Sequence, residues 1–142
     1  MILITGSRGL IGSATAKRLE TAGHAVRTFD VRDDLEQDIR SPAALSKALE
    51  GVDGVIHLAA VSRVVWAQAD PEKTRTTNVE ALEGLLTAAR AMPMPPWMVF
   101  ASSREVYGEP TSRPVAESAP LVPLNVYERS KVAGEAMDRA AA

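Results

Sequence analysis

The chain contains no cysteine. That excludes disulfides, thiol catalysis and cysteine-ligated metal, and is in keeping with a reducing cytoplasm. Two histidines among 142 residues are too few for a histidine-rich metal centre, so no metal site is expected. Neither sign of charge dominates. The 16 basic and 18 acidic side chains leave a formal net charge of −2, which points to neither a nucleic-acid nor a membrane-surface partner. No apolar run approaches the ~20 residues that a membrane span needs. An internal repeat of solenoid period and a low-complexity tract are also missing. What remains is one domain's worth of chain, 46% hydrophobic and able to fill a core. A strand that starts at residue 1 leaves no room for a leader segment, and a cytoplasmic location is expected.

The chain is organised around its first dozen residues. The apolar run Met1-Ile-Leu-Ile4 reads as a strand buried on both faces. It leads into Gly6, Gly9 and Gly12, and then into a helix over Ser13 to Ala22 that stops at Gly23. Strand, glycine turn and helix in that order form the context in which a glycine motif signals dinucleotide binding. Gly6 allows the tight turn, Gly9 lets backbone approach a pyrophosphate, and Gly12 lets the helix pack on the strand. The helix N-terminus offers unpaired N–H groups and a positive dipole end to the phosphates. The spacing G-x-x-G-x-x-G resembles that of the short-chain dehydrogenase/reductase superfamily.

Further along, Ala25 to Asp30 reads as a second strand, with Asp30 at its end and 18 positions beyond Gly12. An acid there meets the adenosine ribose hydroxyls, repels a 2′-phosphate and argues for NAD. Arg8 and Arg32 argue for NADP, because guanidinium groups suit a phosphate. Asp38-Ile39 lies in the following polar loop, within reach of an adenine ring. Ser41-Pro42 is a helix start for Ala43 to Glu50. Val55 to Ala60 is a third strand, and His57 reads as a core or strand-end histidine rather than a catalytic base. Val61 to Ala69 leaves the carboxyl end of that strand, where ligands bind in this class of sheet. Asp70-Pro71 opens a helix expected from about residue 72 to residue 92, with Leu82, Leu85, Leu86 and Ala89 on its apolar face. Asn78 interrupts it as a site for a kink or a buried hydrogen bond. Met92 to Pro96 breaks the helix, and Trp97 to Ser102 is a fourth strand. The alternation predicts an α/β fold, a doubly wound parallel sheet of Rossmann type with right-handed crossovers.

Ser102-Ser103 closes that fourth strand at the same carboxyl edge. After a proline-rich loop, Tyr127 and Lys131 stand four apart on a stretch expected to be helical and so share one face. A lone Y-x-x-x-K is weak, but here it follows a glycine fingerprint and a serine-ended fourth strand. With Gly6 to Gly12, Asp30, Asp38-Ile39, His57 to Ala60, Asn78-Val79, Phe100 to Gly108 and Tyr127 to Lys131, the chain resembles the extended short-chain dehydrogenase/reductases. Within them it is similar to the N-terminal, cofactor-binding part of the NAD-dependent epimerase/dehydratase family.

That resemblance implies roles. Ser103, Tyr127 and Lys131 would be catalytic. Gly6, Arg8, Gly9, Leu10, Ile11, Gly12, Asp30, Arg32, Asp38, Ile39, Leu58, Ala59, Ala60, Asn78, Tyr127 and Lys131 would bind the cofactor, NAD or alternatively NADP. An ordinary phenol, with a pKa of about 10, is too weakly ionised to serve as a base at neutral pH. A neighbouring ammonium and the positive nicotinamide ring favour its phenolate. Ser103 rather than Ser102 would hydrogen-bond the substrate oxygen. The substrate would be a nucleotide sugar or a related hydroxyl or carbonyl compound. A homodimer through the helices near residues 72–92 and 126–142 is implied. Arg104-Glu105 stands where the family's dehydratases carry an Asp-Glu pair, which disfavours sugar dehydration. The family continues with further strands and a C-terminal substrate region, so residues 1–142 are expected to form a single cofactor-binding domain with that region absent. The competing expectation is a dinucleotide-binding module, or a truncated product, without turnover.

Overall fold

The structure, a computed structural model, describes residues 1–110 and 113–141. Strands β1 (Ile2–Thr5), β2 (Val26–Phe29), β3 (Gly54–His57) and β4 (Trp97–Phe100) form one parallel sheet in the order β2-β1-β3-β4. The doubly wound α/β fold expected from the alternation is therefore present. Leu3 and Ile4 are wholly buried, as a central parallel strand requires.

Among the described residues six α-helices connect and flank the strands: α1 (Leu10–Thr21), α2 (Pro42–Leu49), α3 (Val64–Ala69), α4 (Pro71–Arg75), α5 (Ala81–Arg90) and α6 (Val126–Ala141). The local signals at their starts are chemical. Ser41 Oγ accepts the Ala44 N–H at 3.3 Å ahead of Pro42, and Asp70 Oδ1 accepts the Lys73 N–H at 2.9 Å ahead of Pro71. Both follow the rule of a capping side chain followed by proline at the first helical position. At α6, Asn125 Oδ1 accepts the Glu128 N–H at 3.0 Å while the Glu128 carboxylate takes the Leu124 N–H and the Asn125 amide. This reciprocal cap fixes the turn that carries Tyr127.

One core cluster joins Leu3 and Val55 of the sheet to Leu45, Leu49, Leu85 and Ala89 of α2 and α5. The chain moves from β1 to β2 in one direction and from β2 to β3 in the other. Right-handed crossovers accordingly set α1 and α2 on opposite faces.

Two expectations require correction. The stretch at 72–92 is not one regular helix: α4 passes through a π-helical segment, Thr76–Glu80, into α5. The stretch from Val61 to Ala69, where the pattern marks no helix, contains α3. No side chain caps α3. It is held instead by tertiary packing, with Ala67 fully buried and α6 alongside.

Candidate functional site

Register places every strand's carboxyl end at one edge: Thr5 pairs with Phe29 and with His57, and His57 pairs with Phe100. The segments that follow are the glycine turn, Asp30, Leu58 to Ala60, and Ala101 to Ser103. They gather at the sheet edge where the strand order reverses, the usual ligand position in such sheets.

The three turn glycines are not equivalent. Gly6 has φ +70°, and a Cβ there would lie 2.7 Å from the Ala59 amide nitrogen. A Cβ at Gly12 would lie 2.2 Å from the Gly6 carbonyl oxygen. The fold itself needs both. Gly9 has an ordinary extended backbone (φ −69°, ψ 167°), and its Cβ would meet only the Gly6 carbonyl oxygen, at 3.1 Å. Gly9 also ends α1, with no side-chain cap and no acid in the first turn. The result is an open surface with unpaired N–H groups and a positive dipole end, which fits a pyrophosphate. Leu10 and Ile11 are exposed beside it. The buried hydroxyl of Ser7, in the same turn, has no partner.

Asp30 is 7% exposed. Its Oδ1 accepts the Arg32 N–H at 2.9 Å, and its Oδ2 accepts the Arg8 N–H at 2.9 Å. The Arg32 guanidinium adds two longer contacts of 3.3 Å. Burial works against the charged carboxyl. The Arg32 side chain and the two backbone N–H groups outweigh it and hold Asp30 below the ordinary carboxylate range. The Arg8 guanidinium turns instead to Asp33, with Nε 2.8 Å from Oδ1. Asp38 is spent on Arg40 at 2.6 Å, and the Ile39 side chain sits in the core cluster. Only the backbone at Ile39 and the paired carboxylate of Asp38 therefore remain for an adenine ring.

A buried network lies beneath the crevice. Thr5 Oγ1 accepts the Leu58 and Ala59 N–H groups at 3.2 and 3.3 Å. Both hydroxyl lone pairs are thereby used, so its proton goes to His57 Nδ1, 2.8 Å away. His57 is then the neutral tautomer protonated on Nε2. Burial, and secondly the charge of Lys131, push its pKa down to about 3. It is a core histidine, as expected from the sequence, and it orients the backbone of Leu58 and Ala59.

The α6 residues are buried rather than presented on an open face: Tyr127 is 8% exposed and Lys131 6%. Lys131 Nζ donates to the Ala101 carbonyl at 2.7 Å and lies 4.8 Å from the Phe100 ring centroid and 6.0 Å from that of Tyr127. Burial pushes its pKa down to about 8. Among the described residues Ser103 Oγ accepts only the Glu105 N–H, at 3.3 Å, whereas Ser102 Oγ is held by Glu135 of α6 at 2.5 Å. Asn78, expected to meet the cofactor, has its side chain committed inside the protein. Its amide bonds both the N–H and the carbonyl of Val61 (2.8 and 3.1 Å) and donates to Ser130 Oγ at 3.0 Å. Ser130 Oγ donates in turn to the Tyr127 carbonyl at 2.6 Å. Ser130 and Thr5 were not legible as site residues. Each lies in a motif noted for other reasons, and only the fold reveals its partner.

Comparison with known proteins agrees with this geometry. The family model described as NAD dependent epimerase/dehydratase family matches residues 2–142. A UDP-glucose 4-epimerase from Streptomyces lividans is 35% identical over 150 residues, a match that covers 95% of this chain and 45% of that protein. A short-chain dehydrogenase/reductase superfamily protein from Agrobacterium tumefaciens, crystallised with bound NAD, superposes with a TM-score of 0.88 at 40% identity. That match covers 99% of this chain and 44% of that one. UDP-glucose 4-epimerase from Brucella ovis, in complex with NAD, gives a TM-score of 0.88 at 32% identity, over 96% and 46% of the two chains. The chain thus spans about half the length of the relatives it matches. With a motif set, a sheet order and a family match that run from one end of it to the other, the chain belongs to the NAD dependent epimerase/dehydratase family.

Proposed function

We propose that this chain binds NAD along the carboxyl edge of its sheet and supplies the acid/base group of an epimerase or reductase acting on a nucleotide sugar. The observation that carries the proposal is Gly9. It starts α1 with no side-chain cap and no acid in the first turn, beside the exposed Leu10 and Ile11, so the helix's positive end is left to an anion from outside. Gly6 to Gly12 and the α1 N-terminus would cradle the pyrophosphate, and Asp30 the adenosine ribose, displacing the long Arg32 contacts. Arg8, Arg32, Asp38 and the Ile39 backbone would surround the adenosine, and Leu58 to Ala60 would line the path to the nicotinamide. Bound NAD supplies a ring that takes a hydride from a substrate carbon.

Tyr127 would exchange the proton of the substrate hydroxyl on that carbon. One Lys131 N–H is used on Ala101, which leaves two to hold the nicotinamide ribose and to favour the Tyr127 phenolate. Ser103, whose hydroxyl proton is uncommitted, would donate to the same substrate oxygen as charge develops. Asn78 would act indirectly, tying the exit of β3 to the Tyr127 helix through Ser130. Pairing of two copies through α4–α5 and α6 belongs to the same proposal, on the family resemblance alone.

Titration with NAD by calorimetry tests the first half. The second half is tested by mixing NAD-loaded protein with UDP-glucose and following the reduced-nicotinamide band in a single turnover, beside Tyr127→Phe. A Tyr127-dependent signal is expected of the enzyme. NAD binding without that signal would leave a binding module, and absence of NAD binding would refute both.

A further inference from the structure

Two guanidinium groups stand at the place where the reading above sets the adenosine ribose, and each is tied to a carboxylate. Arg32 folds back on Asp30. Arg8 comes from the neighbouring turn: its backbone N–H is fixed on Asp30 Oδ2 at 2.9 Å, while its side chain reaches Asp33 at 2.8 Å. Asp33 is itself positioned by the turn after β2, its N–H donating to the Asp30 carbonyl at 3.0 Å. Asp30, Arg8, Arg32 and Asp33 are therefore one cluster built from two loops. Guanidinium is the preferred partner of a phosphate monoester, which brings about two negative charges and three acceptor oxygens.

We propose that Asp33 is a specificity-determining residue for the cofactor, holding the Arg8 guanidinium away from the 2′ position of the adenosine ribose. The inference rests on the dinucleotide reading of the site. Asp30 repels a 2′-phosphate directly; Asp33 acts at one remove, by occupying the cation that would otherwise receive it. The restraint is weak by construction. The Arg8 side chain is 60% exposed and that of Asp33 32%, and exposed ion pairs of this kind hold only loosely. A single substitution should therefore release Arg8 without disturbing the buried Asp30 bonds to backbone.

The test is calorimetric titration of the full chain with NAD and with NADP, for the native protein, Asp33→Asn and the double variant Arg8→Ala/Asp33→Asn. Asparagine keeps the size of the side chain and removes its charge. NADP affinity should rise about three- to tenfold in Asp33→Asn, NAD affinity should stay within about twofold, and the gain should vanish in the double variant. NADP affinity unchanged in Asp33→Asn would overturn the proposal. So would a gain that persists without Arg8, because loss of a repelling charge would then explain it. Native protein that binds neither nucleotide would overturn the dinucleotide reading, and this inference with it; NAD binding with an unmoved NADP ratio would overturn the inference alone.

Discussion

Gly134 offers the sharpest test of how α6 is seated. A Cβ at this position would lie 2.4, 2.9 and 3.1 Å from three carbons of the Phe100 ring, about 1 Å inside ordinary contact at its closest. The ring has little room to yield. It stacks against His57 (centroids 6.1 Å apart, 17° between planes) and carries the Lys131 ammonium 4.8 Å from its centroid. Gly134→Ala gains about 0.8–1.0 kcal/mol of helix propensity. Overpacking of this kind costs about 1–3 kcal/mol. The clash should win, for a net loss of about 1 kcal/mol and a melting temperature lower by about 3–4 °C. Gly84 is the control. It lies in the interior of α5, and its Cβ would meet only Leu45 Cδ1, at 3.9 Å. Gly84→Ala should raise stability by about 0.5–1 kcal/mol. Thermal melts and urea unfolding of both variants decide the matter. A third arm, Gly134→Ala in a Phe100→Leu background, should be neutral or stabilising, since the obstructing ring is gone. If Gly134→Ala stabilises the native background as Gly84→Ala does, helix propensity alone governs the position and the close seating of α6 on Phe100 is wrong.

Gly9→Ala should cost about 1 kcal/mol of stability, because the Gly6 carbonyl 3.1 Å from the new methyl must give by a few tenths of an ångström, yet it should weaken NAD binding at least tenfold in calorimetry at a temperature where the variant stays folded. An affinity that stays native would show that no ligand passes there. Stability should also fall with acid below pH 6.5. His57 keeps a folded pKa of about 3 against 6.5 unfolded, so between those values the unfolded chain binds the extra proton. The loss from this residue is negligible at pH 7.5, reaches about 1.4 kcal/mol near pH 5.5 and stops growing below pH 3. Urea titrations at pH 7.5 and 5.5 on native protein and His57→Asn check it, and the same slope in the variant would assign the effect to other groups.

What was legible in the sequence was whatever local chemistry decides. The apolar run before Gly6, the Ser41-Pro42 and Asp70-Pro71 helix starts and the apolar face of α5 each carry their signal within a few residues, and each has the element expected of it. What was not legible is set by partners far along the chain. Six residues from Val64 to Ala69, led by two β-branched side chains and without a cap, show no helix pattern, because only packing on α6 makes them helical. Asn78 was visible as a polar break in a helix. The π-helical register around it follows from bonds to Val61 and Ser130, 17 and 52 positions away. Arg8 and Arg32 were visible as charges opposed to Asp30; Arg32 meets it two positions away in the same turn, whereas the Arg8–Asp33 pair depends on how two loops meet.

The same division runs through the candidate site, and one column of contacts joins its halves. Thr5 Oγ1 holds the Leu58 and Ala59 amides on the cofactor side and gives its proton to His57. His57 stacks on Phe100, and Phe100 carries Lys131, whose helix carries Tyr127. The glycine turn and the acid/base helix are more than a hundred residues apart in sequence, so their relative position depends on this column and on the Asn78–Ser130 clamp beside it. Phe100 lies at the far end from the glycine cradle. A defect there should shift Tyr127 and Lys131 while leaving the pyrophosphate seat intact, since Gly6 and Gly12 are fixed by their own backbone contacts. On the proposed reading, cofactor affinity should then depend on the turn after β1 and acid/base placement on how closely α6 seats on β4, so that a variant at Phe100 should separate the two.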